Sequence, residues 1–159
     1  MAATIIRPGV RQDIREVLAL EREVHEAPRW PEADYEVILE PAAASAVLRV
    51  LLIAESEKRI CGFAVVKLIA ATRTAELESL AVSLRSRRRG IGRSLCEAAI
   101  DWSRSRAAET MDLEVRSANE AARRLYERLG FIVVGIRELY YRHPEDDAVL
   151  MRLNFERCG

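Results

Sequence analysis

The chain has 159 residues, a length that fits a single domain (1–159) with a buried core. Its 25 basic and 25 acidic residues cancel, which argues against a general nucleic-acid binder, whose affinity rests on excess positive charge. Half of the residues are apolar, yet no run reaches the roughly 18 to 20 needed to cross a bilayer.

Thr4–Arg7 predicts a short strand closed by Pro8-Gly9. Apolar residues at Ile14, Val17, Leu18 and Val24 recur at helical spacing with Arg and Glu opposite, which predicts an amphipathic helix over 10–25. Pro28-Arg29-Trp30-Pro31 is a turn, and Pro31 suits the start of a second helix over 31–39. Ala42 to Ala46 reads as a loop. Leu48–Ala54, Ile60–Ala70 and Ala75–Val82 are β-rich runs with short polar connections, so an antiparallel meander is expected. A helix follows Arg87-Arg88-Arg89-Gly90-Ile91-Gly92, with Ile91, Leu95, Ala99 and Trp102 as its buried stripe. Met111–Arg116 alternates as a strand, with Leu113 and Val115 opposite Asp112 and Glu114. Ser117 and Glu120 read as a capping box for a helix that buries Ala118, Ala122, Leu125 and Leu129 and stops at Gly130. Phe131–Ile136, continuing to Tyr141, and Ala148–Phe155 close the chain as strands. The order β-α-α-β-β-β-α-β-α-β-β describes an α/β mixed sheet with one parallel βαβ crossover.

Cys61, Cys96 and Cys158 form no CxxC pair, and His25 and His143 are too few for a zinc site. The first ten residues lack the basic start and apolar block of a secretory leader. A reduced, metal-free, cytoplasmic protein is expected, either a monomer or a weak homodimer, with no nucleic-acid or membrane partner.

The glycine turn carries the first chemical signal. Gly90 and Gly92 allow close backbone approach. The first N–H groups of the next helix lack internal partners and, with the helix dipole, favour an anion. Arg85, Arg87, Arg88, Arg89 and Arg93 crowd nine residues with no acid among them. A multiply phosphorylated ligand explains that field on a neutral chain; a solvated basic face and a nucleic-acid patch are the alternatives. No Gly-Lys-Ser/Thr ending makes a Walker loop, and Leu95 stands where a GxGxxG motif needs glycine.

The stretch Arg87-Arg88-Arg89-Gly90-Ile91-Gly92 resembles the Q/R-x-x-G-x-G/A signature of the GCN5-related N-acetyltransferase (GNAT) superfamily. Leu113-Glu114-Val115-Arg116-Ser117-Ala118-Asn119, Leu125-Tyr126-Glu127-Arg128-Leu129-Gly130-Phe131, Tyr140-Tyr141 and Asp147-Ala148-Val149-Leu150-Met151 are similar to the RimI-type ribosomal-protein-alanine N-acetyltransferases. The resemblance spans residues 60–153 and weakens before them. It implies the GNAT fold, with a splayed, mostly antiparallel central sheet. It also implies acetyl-CoA as co-substrate and a protein N-terminus, such as that of a ribosomal protein, as acceptor, by direct attack on the thioester in a ternary complex.

By the same resemblance, Arg87 to Arg93 with Asn119 and Tyr126 bind the coenzyme. Leu80, Ala81 and Val82 offer backbone groups to its peptide-like arm. Glu114 is the implied base and Tyr126 the implied acid. Trp30, Tyr140 and Tyr141 line the acceptor groove; independently of the resemblance, Glu76 and Glu78 alternate with buried residues on the strand next to the coenzyme, where either could meet the acceptor ammonium. Deprotonating an α-amino group at pH 7 costs about 1 kcal/mol, against about 4.6 for lysine, so one carboxylate suffices for the former. Alternation alone makes Glu114 a solvent-facing strand residue, and Tyr126 alone is a packed phenol with a wet hydroxyl. Two departures stand out: Ser83-Leu84 replaces a frequent family proline, and Glu40–Ala46 is unlike a short RimI-type N-terminal region. The remaining expectations are a GNAT acting on a small amine or lysine, favoured only by an acidic pocket, and a non-catalytic CoA-binding module.

Overall fold

The structure, a computed structural model, describes residues 3–24, 28–40 and 45–156. His25, Cys158 and most of the Ala42–Ala46 segment lie outside the described residues. The chain forms β1 (Ile5–Pro8), a 3-10 turn (Arg11–Asp13), α1 (Ile14–Glu23), α2 (Glu32–Leu39), β2 (Val47–Ser56), β3 (Arg59–Ile69) and β4 (Thr74–Val82). A second 3-10 turn (Leu84–Ser86) leads to α3 (Ile91–Arg104), β5 (Thr110–Arg116), α4 (Glu120–Arg128), β6 (Ile132–Arg142) and β7 (Glu145–Asn154). The element order and the meander are those read from the sequence.

The strands make a seven-stranded sheet in the order β1-β2-β3-β4-β5-β7-β6. Only β4 and β5 are parallel; the other neighbours are antiparallel. Both faces of the central strands are covered, which explains their near-continuous apolar runs. Leu52, Ala64 and Val66 pack with Ile91, Leu95 and Ala99 of α3. Leu51, Ile53, Phe63 and Val65 pack with Ile14, Val17 and Leu20 of α1 and Tyr35 and Ile38 of α2.

Two irregularities shape the site. Val65 faces Ser79 while Val66 faces Leu77, so Glu78 is an extra residue, a bulge in β4. The bulge reverses the strand's parity. Ala75 and Leu77 face the α3 layer before it, and Leu80 and Val82 face that layer after it, while Ala81 turns to the α1 layer. The second irregularity is the splay. β4 and β5 pair only over Thr74–Glu76 and Thr110–Asp112. Beyond those residues they diverge, and the β4 edge from Leu77 to Val82 has no strand beside it.

Several expectations need correction. The first helix begins as a 3-10 turn at Arg11, because Asp13 accepts the Val10 N–H at 2.7 Å and an ion pair from Arg7 at 2.8 Å. Ser117 does not cap α4; Asn119 does, its Oδ1 accepting the Ala122 N–H at 3.2 Å. Ala118 is exposed, and Ala122, Leu125 and Leu129 are only half-buried, because α4 borders an open cleft. Trp102 is half-buried too, with the Arg106 guanidinium 4.5 Å above its ring. Gly130 does end α4: at φ +102° its N–H donates to Glu127 O, and the Phe131 N–H donates to Tyr126 O. This is the paired C-terminal closure that a left-handed residue permits.

Candidate active site

The splay opens into a cleft of about 660 Å³. Leu77 to Val82 form one wall, Leu113 to Arg116 the other, and the starts of α3 and α4 close the end. Of the residues singled out from the sequence, Glu78, Leu80, Ala81, Val82, Arg87, Arg88, Gly90, Ile91, Gly92, Arg93, Glu114, Asn119, Tyr126 and Tyr141 line it. Arg89, Trp30 and Tyr140 do not. Trp30 instead borders a smaller cavity of about 300 Å³ with Asp34, Val37, Ile38, Arg49 and Glu78. Glu78 is thus common to both spaces.

At the closed end, Gly90 caps α3 in a left-handed conformation at φ +76°, with no side-chain cap and no acid in the first turn. The leading N–H groups of α3 therefore face the cleft without a side-chain acceptor. A Cβ on Gly92 would lie 3.4 Å from Leu125 and 3.7 Å from Val82, so any longer side chain would enter the cleft. Ser83-Leu84, where the family often has proline, makes a 3-10 turn pinned by the Ser83 N–H to Cys61 O at 2.8 Å. Arg87 donates from Nε to Val82 O at 3.4 Å, and Arg93 pairs with Glu97 at 2.8 Å.

Glu114 and Tyr126 approach from opposite sides. Leu113 and Val115 belong to the α3 layer, as does Tyr126. Glu114, between them on β5, therefore projects to the other face. It is half-buried, with its Oε1 3.5 Å from Arg137 Nη1. Tyr126 is buried with its ring edge-on to Phe131, centroids 5.7 Å apart. Burial pushes its phenol far above the usual tyrosine range, so it stays protonated. Tyr141 is raised as well, by burial first and then by Glu114, with Arg116 opposing from 4.1 Å above the ring. Tyr140 packs edge-on against Tyr141 but is itself exposed.

The sequence shows no acidic cluster other than Glu145-Asp146-Asp147, and here the fold adds one. Arg49, Lys67, Glu76, Asp112 and Arg152 stand in register across five strands. Glu78 and Glu114 lie further along β4 and β5. Each carboxylate has a basic partner: Arg49–Glu78 at 3.1 Å, Lys67–Glu76 at 3.7 Å, Arg152–Asp112 at 2.7 Å and Arg137–Glu114 at 3.5 Å. Burial raises the Glu76 carboxyl above its ordinary value; Lys67 opposes the rise, and Glu78, Glu114 and Asp112 add to it.

Two further features escape sequence reasoning. Ser79, beside the bulge, is buried with an Oγ that has no hydrogen-bond partner. Asp146 and Asp147 are tied up structurally: Asp146 accepts the Ala118 N–H and Asp147 the Leu139 N–H, each at 2.9 Å. They join the entry of α4 to an irregular stretch of β6 between Arg137 and Tyr141. No spacing rule distinguishes these roles in the chain.

The sequence pattern of the acetyltransferase (GNAT) family matches residues 12–131. The [ribosomal protein bS18]-alanine N-acetyltransferase of Salmonella typhimurium is 39% identical over 62% of this chain and 66% of its own length. The protein of the same name from Escherichia coli K12 is 43% identical over 50% of this chain and 55% of its own length. The matched sequence thus spans less than two thirds of either relative. The crystal structure of the ribosomal-protein-S18-alanine N-acetyltransferase from Escherichia coli superimposes with a TM-score of 0.82, over 99% of this chain and 97% of that one, at 29% identity. The seven-stranded sheet, its single parallel pair and the family pattern agree: the chain belongs to the GNAT family of acetyltransferases.

Proposed function

We propose that this enzyme transfers acetyl from acetyl-CoA to the N-terminal α-amino group of a protein, of the ribosomal-protein-alanine type. The observation that carries the reading is the splay between β4 and β5, with a carboxylate on one side and a protonated phenol on the other.

GNAT enzymes use acetyl-CoA, and the residues here suit it. The uncapped start of α3 and the Gly90–Gly92 turn suit a pyrophosphate. Arg87 and Arg88 on the cleft wall add positive charge, and Arg93, paired with Glu97, borders the same wall. The unpaired edge at Leu80, Ala81 and Val82 suits an amide-bearing arm laid alongside as an added strand. Asn119 combines capping of α4 with a place on the wall. When bound, acetyl-CoA supplies an activated thioester open to attack by an amine.

Glu114, directly or through water, takes the proton from the acceptor amine. An α-amino group has a modest barrier to this, about 1 kcal/mol at pH 7. Tyr126 holds a hydrogen bond to the departing sulfur and can pass it a proton. A buried phenol is a weak acid, so transfer depends on a poorly solvated thiolate. Glu78 and Tyr141 line the cleft, and on this reading Glu78 receives the incoming ammonium.

The lower cost of deprotonating an α-amino group favours an N-terminus over lysine, and the paired carboxylates favour it over a polyamine. An acceptor with several cations needs surplus negative charge, whereas each acid here already has a basic partner. A non-catalytic coenzyme-binding module would have no use for both Glu114 and Tyr126. A panel of N-terminal hexapeptides with acetyl-CoA, read by thiol release, tests the reading. Alanine-starting peptides should turn over fastest, and equal rates on a free lysine side chain would reject the N-terminal preference.

A further inference from the structure

Among the described residues, Glu21 is one of the few acidic side chains that are buried, with 3% exposure. It sits on α1 within the apolar layer formed by α1, α2 and the sheet. Both of its oxygens are used. Oε1 accepts the Trp30 backbone N–H at 2.8 Å, and Oε2 accepts the Tyr35 hydroxyl. Tyr35 is fully buried and bridges the Trp30 ring, 5.7 Å away, to Phe63, 6.3 Å away and edge-on. No cation pairs with Glu21 among the described residues. A carboxylate in such a layer is costly, and an apolar side chain of similar size would serve packing alone as well or better. What an apolar side chain cannot do is hold a backbone N–H and a phenol at fixed positions.

Of those two partners, Trp30 stands at a cavity wall and the buried Tyr35 packs behind it. Trp30 borders the smaller cavity, which shares Glu78 with the cleft. Pro28, two residues earlier, lines the cleft itself. We propose that Glu21 is a positioning residue for the acceptor: through Trp30 and Tyr35 it fixes the residues leading into α2 as one wall of the acceptor site, without touching the coenzyme side. This rests on the acceptor reading above, and its test separates the two.

The chain has two tryptophans, Trp30 and Trp102, so in a Trp102→Phe background Trp30 alone reports by fluorescence. In that background, Glu21→Ala should red-shift the emission and increase quenching by acrylamide. It should raise the KM for an alanine-starting peptide about tenfold, with the KM for acetyl-CoA within about twofold. Glu21→Gln, which keeps an oxygen for the Trp30 N–H and a polar group for Tyr35, should restore most of the peptide affinity. Tyr35→Phe removes one hydroxyl and keeps the ring, and should give a smaller shift of the same kind even if Glu21→Ala folds poorly. Unchanged Trp30 emission in both Glu21→Ala and Tyr35→Phe would overturn the latch. Altered emission with an unchanged peptide KM, or with both KM values raised together, would overturn its role in acceptor binding. If wild-type enzyme acetylates no N-terminal peptide, the functional reading fails, while fluorescence still decides the latch.

Discussion

Arg137 reaches from edge strand β6 across β7 to within 3.5 Å of Glu114 on β5. Its guanidinium also lies 5.5 Å from the centroid of the Tyr140 ring. The edge strand therefore touches the residue assigned as base. Because Arg137 is more than half exposed, the pair adds little to stability, and its effect belongs to the chemistry. Arg137→Gln removes the side chain that holds the Glu114 carboxylate from across β7 and should lower kcat/KM by about two- to tenfold. Thermal stability should change by less than about 0.5 kcal/mol. Steady-state rates and thermal melts of both proteins check this; an unchanged kcat/KM would separate Arg137 from Glu114.

The proposed base, Glu114, and the proposed acid, Tyr126, should differ in the size of their effects. Glu114→Gln removes proton acceptance and should lower kcat by about 10²- to 10⁴-fold. Tyr126→Phe removes one hydrogen bond to a developing thiolate, a charge-assisted bond worth about 1.5–3 kcal/mol, and should lower kcat by about 10- to 100-fold. The edge-on contact with Phe131 survives in that variant, so its melting temperature should hold. Steady-state rates at saturating peptide and acetyl-CoA, with thermal melts of the same samples, test both statements.

Gly92 offers a way to probe the coenzyme side alone. A Cβ there meets Leu125 and Val82 at ordinary contact distance, so the backbone tolerates a side chain. The added methyls of Gly92→Val would occupy the cleft. The KM for acetyl-CoA should rise about tenfold or more while the peptide KM stays near wild type. Calorimetric titration with acetyl-CoA should show the matching loss of affinity.

Far from the cleft, Asp13 predicts an acid-sensitive joint. Arg7 bridges Asp13 and Glu55 at 2.8 and 2.6 Å, tying β1 to β2 and to the first 3-10 turn. The Arg7 hydrogen bond holds the Asp13 carboxyl below the ordinary carboxylate range, with burial opposing and the Val10 N–H assisting. A lowered folded value means stability that is present above the unfolded value and lost as pH falls through the folded one. Asp13→Asn should therefore cost about 1–3 kcal/mol at pH 7, and the gap to wild type should close towards pH 3. Denaturant melts at the two pH values measure it.

Much of this was legible in the chain because local chemistry and tertiary structure agree. Ile14, Val17 and Val24 did mark α1, and Gly130 did end α4, where no other residue takes φ +102° without strain. The glycine turn and the Glu114 strand were visible because their signals span a few consecutive residues. The bulge at Glu78 was not visible, because Ala75 to Val82 alternates in burial straight through it. Only the register against β3 reveals that Leu77 and Leu80 share a layer. The charged row from Arg49 to Arg152 was hidden for the same reason, since its members come from five strands. Ser117 misled because a Ser-x-x-Glu spacing fits a capping box, while Asn119 was closer to the helix and took the bond. Trp30 borders the smaller cavity and not the cleft, held there by a buried carboxylate whose role no periodicity announces.

The function turns on which amine is acetylated. A peptide carrying both a free N-terminal alanine and an internal lysine, incubated with the enzyme and acetyl-CoA and fragmented in a mass spectrometer, decides it directly. Acetyl is expected on the α-amino group, and at most about a hundredth as much of it with the Glu114→Gln variant over the same time. Acetyl on the lysine side chain, or equal labelling by that variant, would contradict it.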